Sequence, residues 1–397
     1  MRVAVAVERQ RWSGRGNLTA SWLLIMLLLG VTVLEQTAIE AVPLTPSSST
    51  GSRVVNEANR VATTACPNVA FDVKTEFSDG HLPKVQIQLA QPPAVHDRKK
   101  PQAEEDRIIF GTMITGKDRL HEFLAEKSAS AFAAQDFARK VLIVVNDSPD
   151  YSITHYDIPC VVEIFVEPKK YSLGKLRNIA INAVPVGTFL VQWDDDDWHA
   201  PSYLSMQLAD LYKKDADVSI VSKQTRFFVL LNSSYIYTPL LVNVVVDPGP
   251  SSRSALHPRF PRAVDRGIEG SVLAFKSPQY AHVKYPDKAK GEDSTYLSNV
   301  RRAGLRVTPW SNPFWAYFRL YHGANTWSGQ HYGIHHIKGE GIWCHIFHGP
   351  DDVERGCTDP VLLDYHYTIS KTYAPWKSIF DQVDRERRHA EILNSTG

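Results

Sequence analysis

Four consecutive aspartates, Asp194 to Asp197, end the apolar run Gly187-Thr-Phe-Leu-Val-Gln-Trp193 and are followed by Trp198-His-Ala-Pro201. Adjacent carboxylates repel one another, so such a run needs open solvent or a bound cation. Carboxylates two positions apart at a strand end can share a hard divalent ion whose other positions go to water and phosphate oxygens. Such an ion neutralises a departing diphosphate as charge develops on it. The alternative is a solvated acidic turn that caps the next helix. The apolar strand before the run, and Trp193 and Trp198 on either side of it, favour a binding edge.

Other acidic residues share this setting. Asp147 closes the apolar run KVLIVVND, and Glu292-Asp293 open the helical stretch GEDSTYLSNVRRAGL, where carboxylates suit the positive end of the helix. The elements that must position them alternate along the chain. RIIFGTMIT from Arg107, KVLIVV from Lys140, VVEIFVE from Val161, TFLVQW from Thr188, ADVSIVS from Ala216 and SVLAFK from Ser271 read as strands. The stretches from Asp118, Leu173 and Pro201 read as helices, the first on a stripe of Leu120, Phe123, Leu124, Ala131 and Phe132. This alternation predicts an α/β domain with a mostly parallel central sheet and helices on both faces. Ligands of such sheets bind beyond the carboxyl ends of the strands, where the winding reverses. The Asp147 turn and the four aspartates are therefore expected to share one crevice.

The stretch LVQWDDDDWHAP, preceded by LGKLRNIAINAVPVGTF, resembles the family 2 glycosyltransferases of the GT-A fold, which transfer sugars from nucleotide-diphosphate donors. Their pattern is a strand ending in V-x-D, a helix with R-N-x-A, a strand ending in D-x-D-D, and an E-D pair opening a later helix. This sequence carries all four in that order between Arg107 and Gly304.

The resemblance implies a Rossmann-like GT-A domain and a role for each matching residue. Asp147 accepts a hydrogen bond from the nucleobase, and Lys175, Arg177 and Asn178 line the nucleotide pocket. Asp194 and Asp195 face the donor, while Asp194 and Asp196 hold Mn2+ or Mg2+, a register that the fourfold run leaves open to Asp195 and Asp197. Asp293 is implied as the catalytic base, with Glu292 its neighbour. One base without a dedicated nucleophile suits inverting transfer, where a carboxylate takes the acceptor hydroxyl's proton as its oxygen attacks the anomeric carbon. His322 of YHGANTW completes the metal shell, or else packs inside or touches the diphosphate. Glu269-Gly270-Ser271 resembles the strand that borders the acceptor. Trp310, Trp315, Trp327 and Trp343 either stack on a sugar or fill the core. The bland readings are a helix-start carboxylate for Asp293 and a surface cation for Arg177. The family's Q-x-x-R-W motif and C-terminal membrane spans do not occur, which argues against a processive polymerase.

The bulk properties narrow the partners. The 397 residues carry 44 Lys+Arg against 43 Asp+Glu, a net charge of +1, with no basic block, so nucleic acid is not expected as a partner. Arg2, Arg9, Arg11 and Arg15 precede the apolar run Ala20 to Leu34. This reads either as a type II membrane anchor or as a cleaved signal. Both send the chain into the secretory pathway: an uncleaved anchor implies a lumenal catalytic domain at the Golgi or endoplasmic reticulum membrane, and a cleaved signal implies a secreted protein. The expected division is a basic tail at 1–21, an anchor at 22–34, a stem at 35–105, the GT-A domain at 106–320, and an aromatic- and His-rich extension at 321–397 that completes the site.

Cys66, Cys160, Cys344 and Cys357 allow three pairings, Cys344 with Cys357 being the most local. Asn146, Asn232 and Asn394 begin glycosylation sequons, the first in a turn expected to be functional. His331, His335, His336, His345 and His348 lack zinc spacing. The stretch DQVDRERRHAEIL predicts a final surface helix. The expected partners are a UDP- or GDP-sugar and a glycan, protein or lipid acceptor. The competing reading is a catalytically inactive sugar- or nucleotide-binding protein on the same fold. A nucleotidyltransferase would need a Gly-rich phosphate loop after the first strand, of which GTMITGKDR is a poor version.

Overall fold

Side chains from Val141 to Val145 are all fully buried and alternate between two apolar clusters. Val141, Ile143 and Val145 enter one, Leu142 and Val144 the other. A run apolar at every position is what a strand covered on both faces requires. The computed structural model describes residues 60–77, 81–91, 107–116, 119–148, 150–237, 271–323, 325, 341–345, 353–355, 360–383, 385 and 389.

The first elements in chain order are β1 (Arg60–Thr63), β2 (Phe71–Glu76), β3 (Lys84–Leu89), β4 (Ile109–Thr115), α1 (Arg119–Ala133), β5 (Lys140–Asn146), β6 (Val161–Phe165), α2 (Leu173–Ala183), β7 (Phe189–Gln192) and β8 (Asp197–His199). There follow α3 (Tyr203–Lys213), β9 (Val218–Val221), β10 (Gln224–Phe228), β11 (Ser233–Tyr237), β12 (Val272–Phe275), α4 (Glu292–Arg302), β13 (Val307–Trp310), β14 (Tyr317–Tyr321), β15 (Gly341–His345), β16 (Val353–Arg355) and α5 (Pro360–Tyr373).

Eight strands form the central sheet in the order β1-β6-β5-β4-β7-β12-β9-β13. It is mixed: β6, β5, β4 and β7 are mutually parallel, as are β9 and β13, while β1 and β12 run against their neighbours. One face is covered by α2, α4 and the β2–β3 hairpin through Leu176, Ile179, Tyr296, Leu297, Val85 and Ile87. The other carries α1 and α3 through Ala125, Phe132, Leu204 and Leu208. Each valine, leucine, isoleucine or phenylalanine among these contributes about 1.5–3 kcal/mol on full burial. A second sheet runs β16-β15-β11-β10-β14-β8. Leu362, Ile369 and Tyr373 of α5 pack with Phe227, Phe318 and Leu320 of that sheet and with Leu120 and Phe123 of α1.

The structure differs from the sequence reading in two places. Residues 60–77 and 81–91, read as stem, are folded: β1 pairs antiparallel with β6, and a disulfide joins Cys66 to Cys160. The most local pairing, Cys344 with Cys357, falls on side chains outside the described residues. Second, α5 was not anticipated, because its apolar positions alternate with Tyr, His and Thr and mask the helical stripe. Of the final helix, residues 381–383 are helical, and most of the rest lies outside the described residues. Among the described residues no helix is long and apolar enough to cross a membrane. The anchor at 22–34, the remainder of the stem, Asn394, Glu269-Gly270, Trp327 and His331, His335, His336 and His348 also lie outside them.

Candidate active site

Three adjacent parallel strands, β5, β4 and β7, end at one edge, and their last residues carry the polar groups. The Asp147 N–H donates to Thr115 O at 3.0 Å and the Trp193 N–H to Thr112 O at 3.1 Å, so both acidic turns leave the sheet in register. Gly116 follows β4 at φ +151, and a Cβ there would lie 1.6 Å from Asp147 Oδ1. Only glycine lets the Asp147 carboxylate cross the end of β4.

The turn behind Asp147 is built on a buried carboxylate. Glu163 on β6 accepts from Asn146 Nδ2 (2.8 Å), Ser152 Oγ (2.6 Å), Ile153 N (3.1 Å) and Thr154 N (3.2 Å). A buried polar side chain is tolerated when donors meet its oxygens in this way. Asn146 also accepts from Ser148 N at 2.8 Å, an Asx turn. Its buried amide is thus fully engaged, which leaves this sequon closed in the folded chain.

Helix α2 starts at Ser172, whose Oγ accepts from Lys175 N at 3.3 Å and donates to Asp287 Oδ1 at 2.6 Å. Lys175 Nζ pairs with Asp287 at 2.8 Å on the surface. Asn178 donates to Tyr285 O and accepts from Tyr285 N, both at 2.9 Å, and so clamps the chain leading into α4. Neither Lys175 nor Asn178 lines the cavity described below, because each is committed to that segment. Arg177, one helical position away, points inward. Its Nη1 donates to Asp194 Oδ1 at 2.9 Å and its Nε to Glu292 Oε1 at 3.2 Å. Burial works against the guanidinium's charge, but Asp194, Tyr285 and Glu292 more than offset it and raise its pKa. Burial raises the Glu292 carboxyl, and Arg177 restrains that rise. Asp293, in the first turn of α4, accepts from Ser294 N at 2.7 Å.

The four aspartates have different surroundings. Asp194 accepts from Arg177 and from Gln192 Nε2. Asp195 faces the cavity. Asp196 Oδ2 meets His322 Nε2 at 3.3 Å and accepts from Asn325 Nδ2 at 2.9 Å. Burial disfavours its charge, yet the His322 hydrogen bond and the charges of His322, Arg319 and His121 hold it well below the usual carboxylate range. Asp197 is buried on β8 and accepts from the Tyr317 hydroxyl. Burial and the neighbouring Asp196 charge push it far upward, which favours its neutral form.

One cavity of about 450 Å³ is lined by Asp147, Arg177, Asp194, Asp195, Asp196, Glu292 and Asp293, within the size range of small-molecule sites. His322 is buried behind Asp196 and is not part of the lining. Trp310 is buried 5.5 Å from Tyr203 in the core, and Trp315 stacks on Tyr365 at 5.6 Å. His121, Tyr171, Lys290, Arg319 and Asn325 also line the cavity. Of these only Asn325 fell inside a stretch that the sequence singled out, YHGANTW; the others sit on ordinary helix, strand and loop patterns.

Among the described residues no three His, Cys, Asp or Glu side chains converge as a closed metal cage. The donor set nevertheless fits a hard divalent ion that phosphate and water complete, since such ions need only one or two protein carboxylates. Asp194, Asp195 and Asp196 all face the cavity, and Asp194 is also held by Arg177 and Gln192.

No family model matches the sequence, and no curated protein does. Several solved structures are similar at low identity. S. aureus TarS 1–349 in complex with UDP-GlcNAc is 15% identical, with a TM-score of 0.39, over 67% of this chain and 74% of that one. The mannosyltransferase PcManGT from Pyrobaculum calidifontis, in complex with GDP-Man and Mn2+, is 12% identical, with a TM-score of 0.38, over 75% and 83%. Glucosyl-3-phosphoglycerate synthase from Mycobacterium tuberculosis, with Mn2+, UDP and glucosyl-3-phosphoglycerate, is 12% identical, with a TM-score of 0.35, over 57% and 75%. The match spans only 37% of the chain in another TarS structure and 60% of TarS 1–349 with UDP. At such scores the likeness carries no functional weight, which rests on the site itself.

Proposed function

We propose that this chain is a metal-dependent inverting glycosyltransferase of the family 2 type. It moves a sugar from a UDP- or GDP-linked donor to a hydroxyl of a glycan, protein or lipid. The observation that carries this reading is the single cavity lined by Asp147, Arg177, Asp194, Asp195, Asp196, Glu292 and Asp293 from four separate chain segments.

Asp147 accepts from the nucleobase at the β5 end, and Asp194 with Arg177 borders the ribose. Asp293 takes the proton of the acceptor hydroxyl as its oxygen bonds to the anomeric carbon from the face opposite the diphosphate. The bond from that carbon to the diphosphate breaks, its electron pair stays on the phosphate oxygen, and configuration inverts. Asp196, with Asp195 or Asp194 beside it and His322 behind, would hold Mn2+ or Mg2+, which when bound supplies positive charge to the leaving diphosphate. The same reading sets the domain in the lumen of the Golgi or endoplasmic reticulum behind a type II anchor at 22–34. The Cys66–Cys160 disulfide supports an oxidising compartment.

The test is a thermal-shift panel of UDP and GDP with and without manganese, followed by donor hydrolysis across nucleotide sugars. One nucleotide is expected to raise Tm in a manganese-dependent way. Asp293→Asn should keep that shift and lose about 10²- to 10⁴-fold in turnover. A folded protein with neither shift nor turnover removes the reading. Nucleotide binding without turnover, indifferent to Asp293→Asn, would instead identify an inactive binding protein on this fold.

A further inference from the structure

The carboxylate that Arg177 grips is itself held from behind. Gln192, 2% exposed at the end of β7, donates from Nε2 to Asp194 Oδ1 at 3.2 Å and Oδ2 at 3.4 Å. Its Oε1 accepts from the Tyr285 hydroxyl at 2.9 Å. A carboxamide fits its site almost equally well in two orientations, and only its partners choose between them. Turned over, Oε1 would face the Asp194 carboxylate, and attraction would become repulsion. A donating hydroxyl on the far side selects the orientation that gives Asp194 a donor.

Tyr285 is in turn fixed on three sides. Asn178 binds its backbone N–H and C=O, its ring stacks on Tyr296 of α4 at 3.8 Å and 8°, and the Arg177 guanidinium lies 5.8 Å from its centroid. Gln192, Tyr285, Tyr296 and Asn178 are all absent from the cavity lining. Their connections join β7, which leads into Asp194, to α2 and α4, which carry Arg177 and Glu292.

We propose that Tyr285 and Gln192 form a positioning relay. It orients Asp194 and, through Asp194, the Arg177 fork, holding the donor side of the cavity at a set distance from the Glu292-Asp293 turn. The functional consequence rests on the glycosyltransferase reading; the geometric one does not.

Tyr285→Phe tests it, because the ring, its stack and the backbone clamp all remain. Two readouts on the full chain are needed. In ligand-free protein, hydrogen exchange of the Arg177 Nε–H, followed by NMR, is expected to quicken by about 3- to 10-fold, the equivalent of one net hydrogen bond. The Kd for UDP or GDP with manganese should weaken by about the same factor, with Tm lowered by no more than about 2 °C. Gln192→Glu still accepts from Tyr285 but sets a carboxylate against Asp194, so both effects should be larger. Adding Tyr285→Phe to Gln192→Leu should change nothing further, since the two residues act in series. Unchanged Arg177 exchange in Tyr285→Phe, or additive losses in the double variant, overturns the relay. Faster exchange in a protein whose wild type binds neither UDP nor GDP upholds the relay and removes the functional reading instead.

Discussion

Replacing Arg177 by methionine keeps most of the apolar stem and deletes the guanidinium shared by Asp194 and Glu292. Exposure of the three side chains is 10% for Arg177, 13% for Asp194 and 5% for Glu292, so neither carboxylate regains bulk water. Breaking a buried ion pair by removing one partner costs about 3–5 kcal/mol. Gln192 still donates to Asp194, so the low end, about 3 kcal/mol, is expected. In a domain of this size 1 kcal/mol corresponds to about 2 °C, which sets Tm about 6 °C below wild type.

Glu292 supplies the pH dependence. Burial raises its carboxyl, and Arg177 acts against that rise, so the variant's carboxyl should lie higher still. A carboxyl with a folded pKa above its unfolded value destabilises the fold in full above the folded value. That penalty disappears below the unfolded value, where both states are protonated. The Tm gap between wild type and Arg177→Met should therefore narrow as pH falls from about 7.5 to about 5. Calorimetric melts of both proteins in one buffer series measure it. A gap under about 2 °C at neutral pH, or one that widens in acid, would refute the view of Arg177 as the buried bridge between two charges.

Gly116→Ala should weaken nucleotide binding more than it lowers stability, since the added Cβ meets Asp147 Oδ1 at 1.6 Å and the side chain can swing into the cavity. A loss of about 10-fold or more in Kd is expected, within the range for strain of about 1–3 kcal/mol, and unaltered affinity by calorimetry would contradict it. Lys276 is 4% exposed and donates from Nζ to Ile181 O at 2.6 Å and to Val184 O, at the C-terminus of α2. Burial, with a smaller contribution from Lys284, pulls its ammonium down to about 7. The fold thus disfavours the charged amine: the penalty is full below about pH 7 and shrinks toward the unfolded value near about 10.4. Wild type should gain on Lys276→Met as pH rises from about 7 to about 9, and a flat difference in Tm across that range would count against the buried amine.

Much of the fold was legible in the chain because strands buried on both faces must be apolar at nearly every position, as KVLIVV and TFLVQW are. Their polar last residues then mark the ligand edge, which brought Asp147 and Asp194 to Asp197 into view together. The sequence by itself determined those elements, their order, and the acidic side chains at their ends. It had no means of separating four identical neighbours. The tertiary structure decided that Asp194 meets Arg177 and Gln192, that Asp196 meets His322 and Asn325, and that Asp197 is buried. The pairing of β8 with β14, which sets Arg319 opposite Asp197 and Tyr317 opposite His199, makes that distinction. Likewise β1 joined β6, and Tyr285 reached Gln192 across 93 residues. Contacts between residues so far apart follow from how sheets and helices pack, and no local pattern of hydrophobicity or charge encodes them.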